Sequence, residues 1–234
     1  GSTGAVAVGD SARGEAIGAI AIGSDGSDTG SLGAEALGQR SIAIGVDAQS
    51  TGIGAVAIGD AASATVNSAT ALGDGAIATT LNAVALGGAS SATGERSVSI
   101  GRGGDASGDF AIAIGTDDSD GDTIGAVASG ARSVALGADA NAGGDNTIAV
   151  GSRAIAIQSN ATAIGQNADA SGDSALSLGA FALSSNNGAS AVGSSARASA
   201  SSSSAFGTGS SATGDSATAL GFAARASGEQ SIGI

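Results

Sequence analysis

The stretch SIAIG at 41–45 decides the fold, because it returns along the chain at a constant interval. AVAIG follows at 55–59, ATALG at 69–73, AVALG at 83–87, SVSIG at 97–101 and AIAIG at 111–115. The closing glycines Gly45, Gly59, Gly73, Gly87, Gly101 and Gly115 stand 14 residues apart. The same spacing resumes at Gly137 and continues through Gly151, Gly165, Gly179, Gly193 and Gly207 to Gly221. A fixed internal period of this length is the mark of a stacked-repeat architecture, in which one supersecondary unit recurs.

With the closing glycine numbered 14, position 13 is large and apolar in every unit, from Val8, Ile22, Ile44 and Ile58 to Phe206, Leu220 and Ile234. Position 11 is mostly Val or Ile, with Thr70, Thr162, Ser190, Ser204 and Thr218 as exceptions. Alternate side chains of a strand share a face. A helix would instead need apolar residues three and four apart, and no such stripe exists. The first half of the unit alternates again: Ala138, Ala140 and Ala142 with Asp139 and Asn141, and Ala168 and Ala170 with Asn167 and Asp169. Each unit therefore reads as two short strands and two turns, with glycine at positions 7 and 14 supplying the corners. Stacked, these units predict an all-β parallel β-solenoid of 14-residue coils. About seventeen coils at roughly 4.8 Å each would extend for roughly 80 Å.

Bulk assigns the faces. Ile44, Val56, Ile58, Leu86, Ile114, Leu136, Ile164, Leu178, Phe206 and Leu220 are expected to fill the roll, with position 4 (Arg13, Gln49, Asp105, Arg197) facing water. Position 12 is Ala, Ser or, once, Gly233, and position 10 is Ala or Ser except at Thr147. An exposed strand face normally carries some charge, and these two columns carry none. Ala43, Ala57, Ala71, Ala85, Ala113, Ala135, Ala149 and Ala163 are therefore expected to form a close contact between identical chains.

Two places break the count. The spans 24–45 and 116–137 each hold 22 residues, and SDGSDTGSLGAEALGQRSIAIG aligns without gaps on TDDSDGDTIGAVASGARSVALG. Leu32 falls on Ile124, Gly33 on Gly125 and Arg40 on Arg132. Each unit is one coil plus eight residues that must leave the stack, and insertions in solenoids map to loops that are often the binding face. The densest charge lies there, at Asp25, Asp28, Asp117, Asp118, Asp120 and Asp122, which become the candidate ligand contacts.

Composition narrows the function. The 234 residues include 42 Gly and no Cys, His, Pro, Met, Trp or Tyr, and the net charge is −13. That charge argues against a nucleic-acid partner. Without His or Cys, a Ser-His or Cys-His nucleophile pair cannot exist, and the carboxylates sit on a repetitive surface without a pocket. The acidic run from Asp117 to Asp122 lacks the spacing of a calcium loop: counted from Asp118, the sixth residue is Thr123 and the twelfth Ser129, where glycine and glutamate are needed. No catalytic, cofactor-binding or metal site is assigned, and no enzyme activity or cofactor is expected. No apolar run is long enough to span a bilayer as a helix. The chain starts and stops inside the repeat, as a fragment of a longer protein would. Arg13, Arg197 and Arg225 read as solubilising charge, and Phe110, Phe181 and Phe222, near turns, are further candidates for ligand contact.

The S-V-A-I-G type motif followed by G-x-x-S/A-x-A resembles the head repeats of trimeric autotransporter adhesins of Gram-negative bacteria, the YadA-like heads. The likeness covers nearly the whole chain, residues 1–234, as a single repetitive head with the two 22-residue units as head insertions. It implies a left-handed parallel β-roll, a parallel homotrimer, and a surface-exposed head tied to the outer membrane through a stalk and anchor absent from this sequence. The function implied is attachment to host extracellular matrix proteins or the host cell surface. Two other readings stand beside it: a structural spacer that projects another binding domain, and an ice-binding solenoid, against which the lack of a regular threonine column counts.

Overall fold

A computed structural model describes residues 4–26, 32–117 and 124–234. The chain divides into two compact units, one of residues 1–111 with 119–125, the other of 112–118 with 126–234. Each is built the same way, from a three-residue strand and a two-residue strand per coil. The long strands include Ile42–Ile44 and Val56–Ile58 in the first unit and Val134–Leu136 and Ile148–Val150 in the second. The short ones include Gln49–Ser50 and Ser63–Ala64, then Asn141–Ala142 and Ile155–Ala156. Within a unit the long strands form one parallel sheet and the short strands a second. The fold is a parallel β-solenoid of 14-residue coils, as the period predicts.

Register is kept coil to coil. Val56 lies between Ile42 and Thr70, Ala57 between Ala43 and Ala71, and Ile58 between Ile44 and Leu72. The Val56 amide donates to the Ala69 carbonyl at 2.9 Å and the Gly59 amide to the Ile44 carbonyl at 2.8 Å. Two tight turns close each coil: the Ala55 amide donates to Gly52 at 3.2 Å and the Ala62 amide to Gly59 at 3.3 Å. The third residue of each turn, at position 9 or 2, is left-handed, as at Asp47, Ala61, Ser68 and Asn82 (φ 50–58°). The permissive corner thus lies at positions 2 and 9, mostly on non-glycine residues, and Gly52 at position 7 is outside that region. Position 14 is where glycine is indispensable. Gly59 has φ 139°, and a Cβ there would lie 2.3 Å from the carbonyl oxygen of Gly73 in the next coil.

The two faces are the reverse of the sequence expectation. Ala43, Ala57, Ala71, Ala85, Ala113, Ala135, Ala149 and Ala163, expected between chains, are fully buried inside the roll of a single chain. They pack with the alanines of positions 3 and 5, as Ala55, Ala57, Ala62, Ala64, Ala69 and Ala71 do in one continuous cluster. The second unit repeats this with Ala189, Ala191, Ala196 and Ala198. Ile44, Val56, Ile58, Leu86, Ile114, Leu136, Ile164, Leu178, Phe206 and Leu220, expected in the core, point outward and remain partly exposed, Ile58 by 38% and Leu220 by 51%. The reason is geometric. A coil of 14 residues with two tight turns sets its two sheets so close that the side chains between them are alanine- or serine-sized, Thr147 being the largest that is fully buried. Strand alternation then sends the large residues outward.

Some interior positions are serine. The Ser50 hydroxyl donates to the Ala55 carbonyl at 2.8 Å, and the Ser177 and Ser184 hydroxyls meet at 2.6 Å. The 22-residue units do not disturb either sheet. Ile20–Ile22 pairs directly with Ile42–Ile44, and Arg13 with Glu35, so the extra residues leave between a long strand and the next short one. In the second unit Ile112 pairs directly with Val134 in the same manner.

Candidate functional site

The described residues enclose no pocket, so the candidates are surfaces. The widest is the outer face of the long-strand sheet. In the first unit it presents Ile20, Ile22, Ile42, Ile44, Val56 and Ile58 in succession, and in the second Val134, Leu136, Ile148 and Val150. Toward the C-terminal coils position 11 turns polar at Ser190, Ser204 and Thr218, while position 13 stays apolar at Val192, Phe206 and Leu220. An apolar stripe of this kind on each unit marks an interaction surface. Ile44, Val56, Ile58 and Leu136 of this face were expected inside; the signal for the outward reading was the small size of the residues at positions 10 and 12, which suits a narrow interior equally well.

The inserted units supply the second candidate. Asp25 and Asp117 are half-buried rather than projecting. The Asp25 amide donates to the Asp10 carbonyl at 3.2 Å, and the Gly26 amide to the Asp47 carboxylate at 3.1 Å, so this insertion leaves the roll tied to coils on both sides. Asp28, Asp118, Asp120 and Asp122 lie outside the described residues. Where the chain returns, Leu32 and Ile124 stand exposed at matching places, 46% and 52%. Each precedes a buried glycine whose amide bonds the preceding coil, Gly33 to Ser11 at 3.3 Å and Gly125 to Gly103 at 2.9 Å. These two apolar residues were visible in the alignment of the inserted units, but without structure nothing set them apart from a core pair.

Charge elsewhere is scattered. Arg13 donates to Glu15 and to the buried Glu35, each at 2.9 Å, and the Glu15 contact chiefly raises its pKa. Burial raises the Asp105 carboxyl above its ordinary value, partly offset by a hydrogen bond from Ser107. Arg197 and Arg225 are exposed. Phe110, Phe181 and Phe222 are all exposed at turns, Phe222 by 85%, and the Arg96 guanidinium lies over the Phe110 ring at 5.4 Å. Among the described residues no three acidic side chains converge on a point that would hold a metal.

Tight parallel coils, an alanine interior and an outward apolar stripe define a β-solenoid repeat protein. Comparison with known proteins gives the family. The YadA head domain repeat matches at 36–62, 50–76, 67–89, 78–103, 105–117, 128–154, 156–182 and 212–232, well over half of the chain. The chain belongs to the YadA head repeat family. No curated protein matches it in sequence. Among solved structures it is similar to the collagen-binding domain of the Yersinia adhesin YadA, at 20% identity, over 100% of this chain and 82% of that one, with a TM-score of 0.26.

Proposed function

We propose that this chain is the non-enzymatic head of a bacterial surface adhesin, a parallel homotrimer that attaches to host matrix proteins or cells. The observation that carries the reading is the outward stripe of positions 11 and 13 on a chain built of YadA head repeats. Isolated, that stripe leaves Ile58, Ile114, Ile164, Phe206 and Leu220 exposed by more than a third. Packing three copies stripe to stripe removes the rest of this surface from water; full burial of a large side chain is worth about 1.5–3 kcal/mol, so each of these, already about half or more buried, adds roughly 0.5–1.5 kcal/mol. The contact between chains is thus assigned to the isoleucine and leucine columns, not to the alanine columns. A left-handed roll and a link to the outer membrane through further segments complete the proposal, both supported by family membership.

The attachment surface is assigned to the inserted units, on the strength of Leu32 and Ile124, exposed at equivalent places of the two inserted stretches. Large side chains of this kind anchor protein contacts, and the regular coils offer mostly Ala, Ser and Gly. In a trimer each insertion recurs three times at one height, which multiplies weak contacts. The same monotony of the regular coils favours a second reading, a spacer that carries another binding domain. Solid-phase binding to immobilised collagen, fibronectin and laminin separates the two. Saturable binding that falls when Leu32 and Ile124 are changed to Ser supports the head reading. Absence of binding to all three ligands and to host cells supports the spacer.

A further inference from the structure

A turn of the second unit carries an asparagine that the fold leaves unused. Asn160 opens the run Asn160-Ala161-Thr162. An asparagine followed two residues on by threonine, with no proline between, is the acceptor pattern for an N-linked sugar. Of the eight asparagines in the chain, only Asn160 has serine or threonine at that distance. The structure supplies the setting this pattern needs. Asn160 is exposed, third in a tight turn that the Ala161 amide closes on the Gln158 carbonyl at 3.2 Å. Its φ of 59° is left-handed, which asparagine tolerates better than most residues. Ala161 is fully buried, and Thr162 starts the strand Thr162–Ile164 on its outward face. The carboxamide and the hydroxyl therefore emerge on the same side of the chain, on either side of an inward methyl.

Other asparagines spend their carboxamides inside the fold. Asn67 accepts from the Ile53 amide at 2.9 Å, Asn146 accepts from the Arg132 guanidinium at 2.8 Å, and Asn186 donates to the Ser199 carbonyl at 2.6 Å. Among the described residues the Asn160 carboxamide makes no hydrogen bond, so a substituent on its nitrogen breaks no contact. The residues one coil to either side, Asn146 and Ser174, are exposed and small, which leaves room for a sugar. We infer that Asn160 is the acceptor of an N-linked sugar delivered from a glycosyl pyrophosphate, carried on a nucleotide or on a lipid. The bond from Asn160 Nδ2 to the sugar C1 forms as the bond from C1 to the pyrophosphate oxygen breaks. The pyrophosphate leaves with the bonding pair, and Nδ2 gives up one proton. The carboxamide stays neutral, and the bulky, solubilising group sits in water. Thr162 is the hydroxyl that a transferase reads two residues on. Neither the inserted units nor a contact between chains is needed.

The test produces the full chain in two bacterial strains, extended by a carboxy-terminal Asn-Ala-Thr tail that serves as a standard. One strain carries a soluble transferase that uses a nucleotide-activated hexose. The other exports the chain past a membrane transferase that uses a lipid-linked oligosaccharide. The purified chain is cleaved at arginine, and peptide 154–197 is weighed and fragmented. In at least one strain that peptide should carry a sugar on Asn160, and the mass added identifies the donor. Asn160→Gln and Thr162→Val should each abolish the addition, Thr162→Ser should keep it, and Asn146→Gln should change nothing. The inference is overturned if the tail carries sugar while Asn160 carries none in either strain. It is also overturned if Thr162→Val is still modified, or if the sugar sits on another asparagine of the chain.

Discussion

Replacing Ala57 by Val tests the assignment of the faces from the inside. Ala57 is fully buried between Ala43 and Ala71 and packs against Ala62 and Ala64 across the roll. Valine adds two carbons where the sheets leave room for one methyl, and overpacking of this kind costs about 1–3 kcal/mol. For a chain of this size 1 kcal/mol moves the melting temperature by about 2–4 °C, so a fall of roughly 2–12 °C is expected. Ile58→Val is the matched change on the outer face. It removes one methylene from a side chain 38% exposed in the single chain. Fully buried, that methylene is worth about 0.8 kcal/mol, so the shift stays below roughly 3 °C. Both variants are melted by circular dichroism over a range of protein concentrations. The Ala57→Val loss should be independent of concentration, because it arises within one chain, and the smaller Ile58→Val loss should grow on dilution if the contact between chains carries it. The reasoning is refuted if Ile58→Val destabilises more than Ala57→Val, for the large residues would then form the interior.

Three further outcomes follow from particular residues. Gly59→Ala should abolish folding, because the new methyl meets the Gly73 carbonyl at 2.3 Å and the backbone is left-handed; soluble protein with an unchanged β spectrum would contradict this. Asp105→Asn should raise the melting temperature at neutral pH. Burial lifts this carboxyl above 3.8; below the ordinary value both states are protonated and the charge costs nothing, and as pH rises through the raised value the fold loses stability by holding a buried charge. The gain from asparagine should therefore vanish in acid, and equal gain at both pH values would exclude this cause. Removing eight residues from each inserted unit should leave a folded chain, since Ile20–Ile22 pairs directly with Ile42–Ile44; loss of the β signal would show that the insertions hold the coils together.

The fold was legible because two columns repeat without exception. Glycine at position 14 is demanded by the backbone of the next coil, as at Gly59 and Gly207, so it recurs and sets the period. The alternation around Ala57 and Ile58 gave strands and register. It did not say which parity faces in, since both columns are uncharged. The interior width decides that, and width depends on how tightly 14 residues turn. Equating bulk with burial therefore misplaced Ile58 and its column. The corners escaped notice for another reason. The left-handed residues at positions 2 and 9 are Asp47, Ala61, Asn82, Arg96 and Phe110 among others, with no shared residue type to reveal them.

Sedimentation equilibrium of the parent chain beside an Ile44→Asp, Ile58→Asp, Ile148→Asp, Ile164→Asp variant tests the central claim most directly. These side chains all lie on the outer stripe, so each roll keeps its alanine interior while the face between chains becomes acidic. The parent is predicted to sediment at three times its chain mass of 21.2 kDa, and the variant at the single-chain mass with its β spectrum intact. A parent that sediments as a single chain, or a variant that remains trimeric, would contradict the assignment of the stripe as the contact between chains.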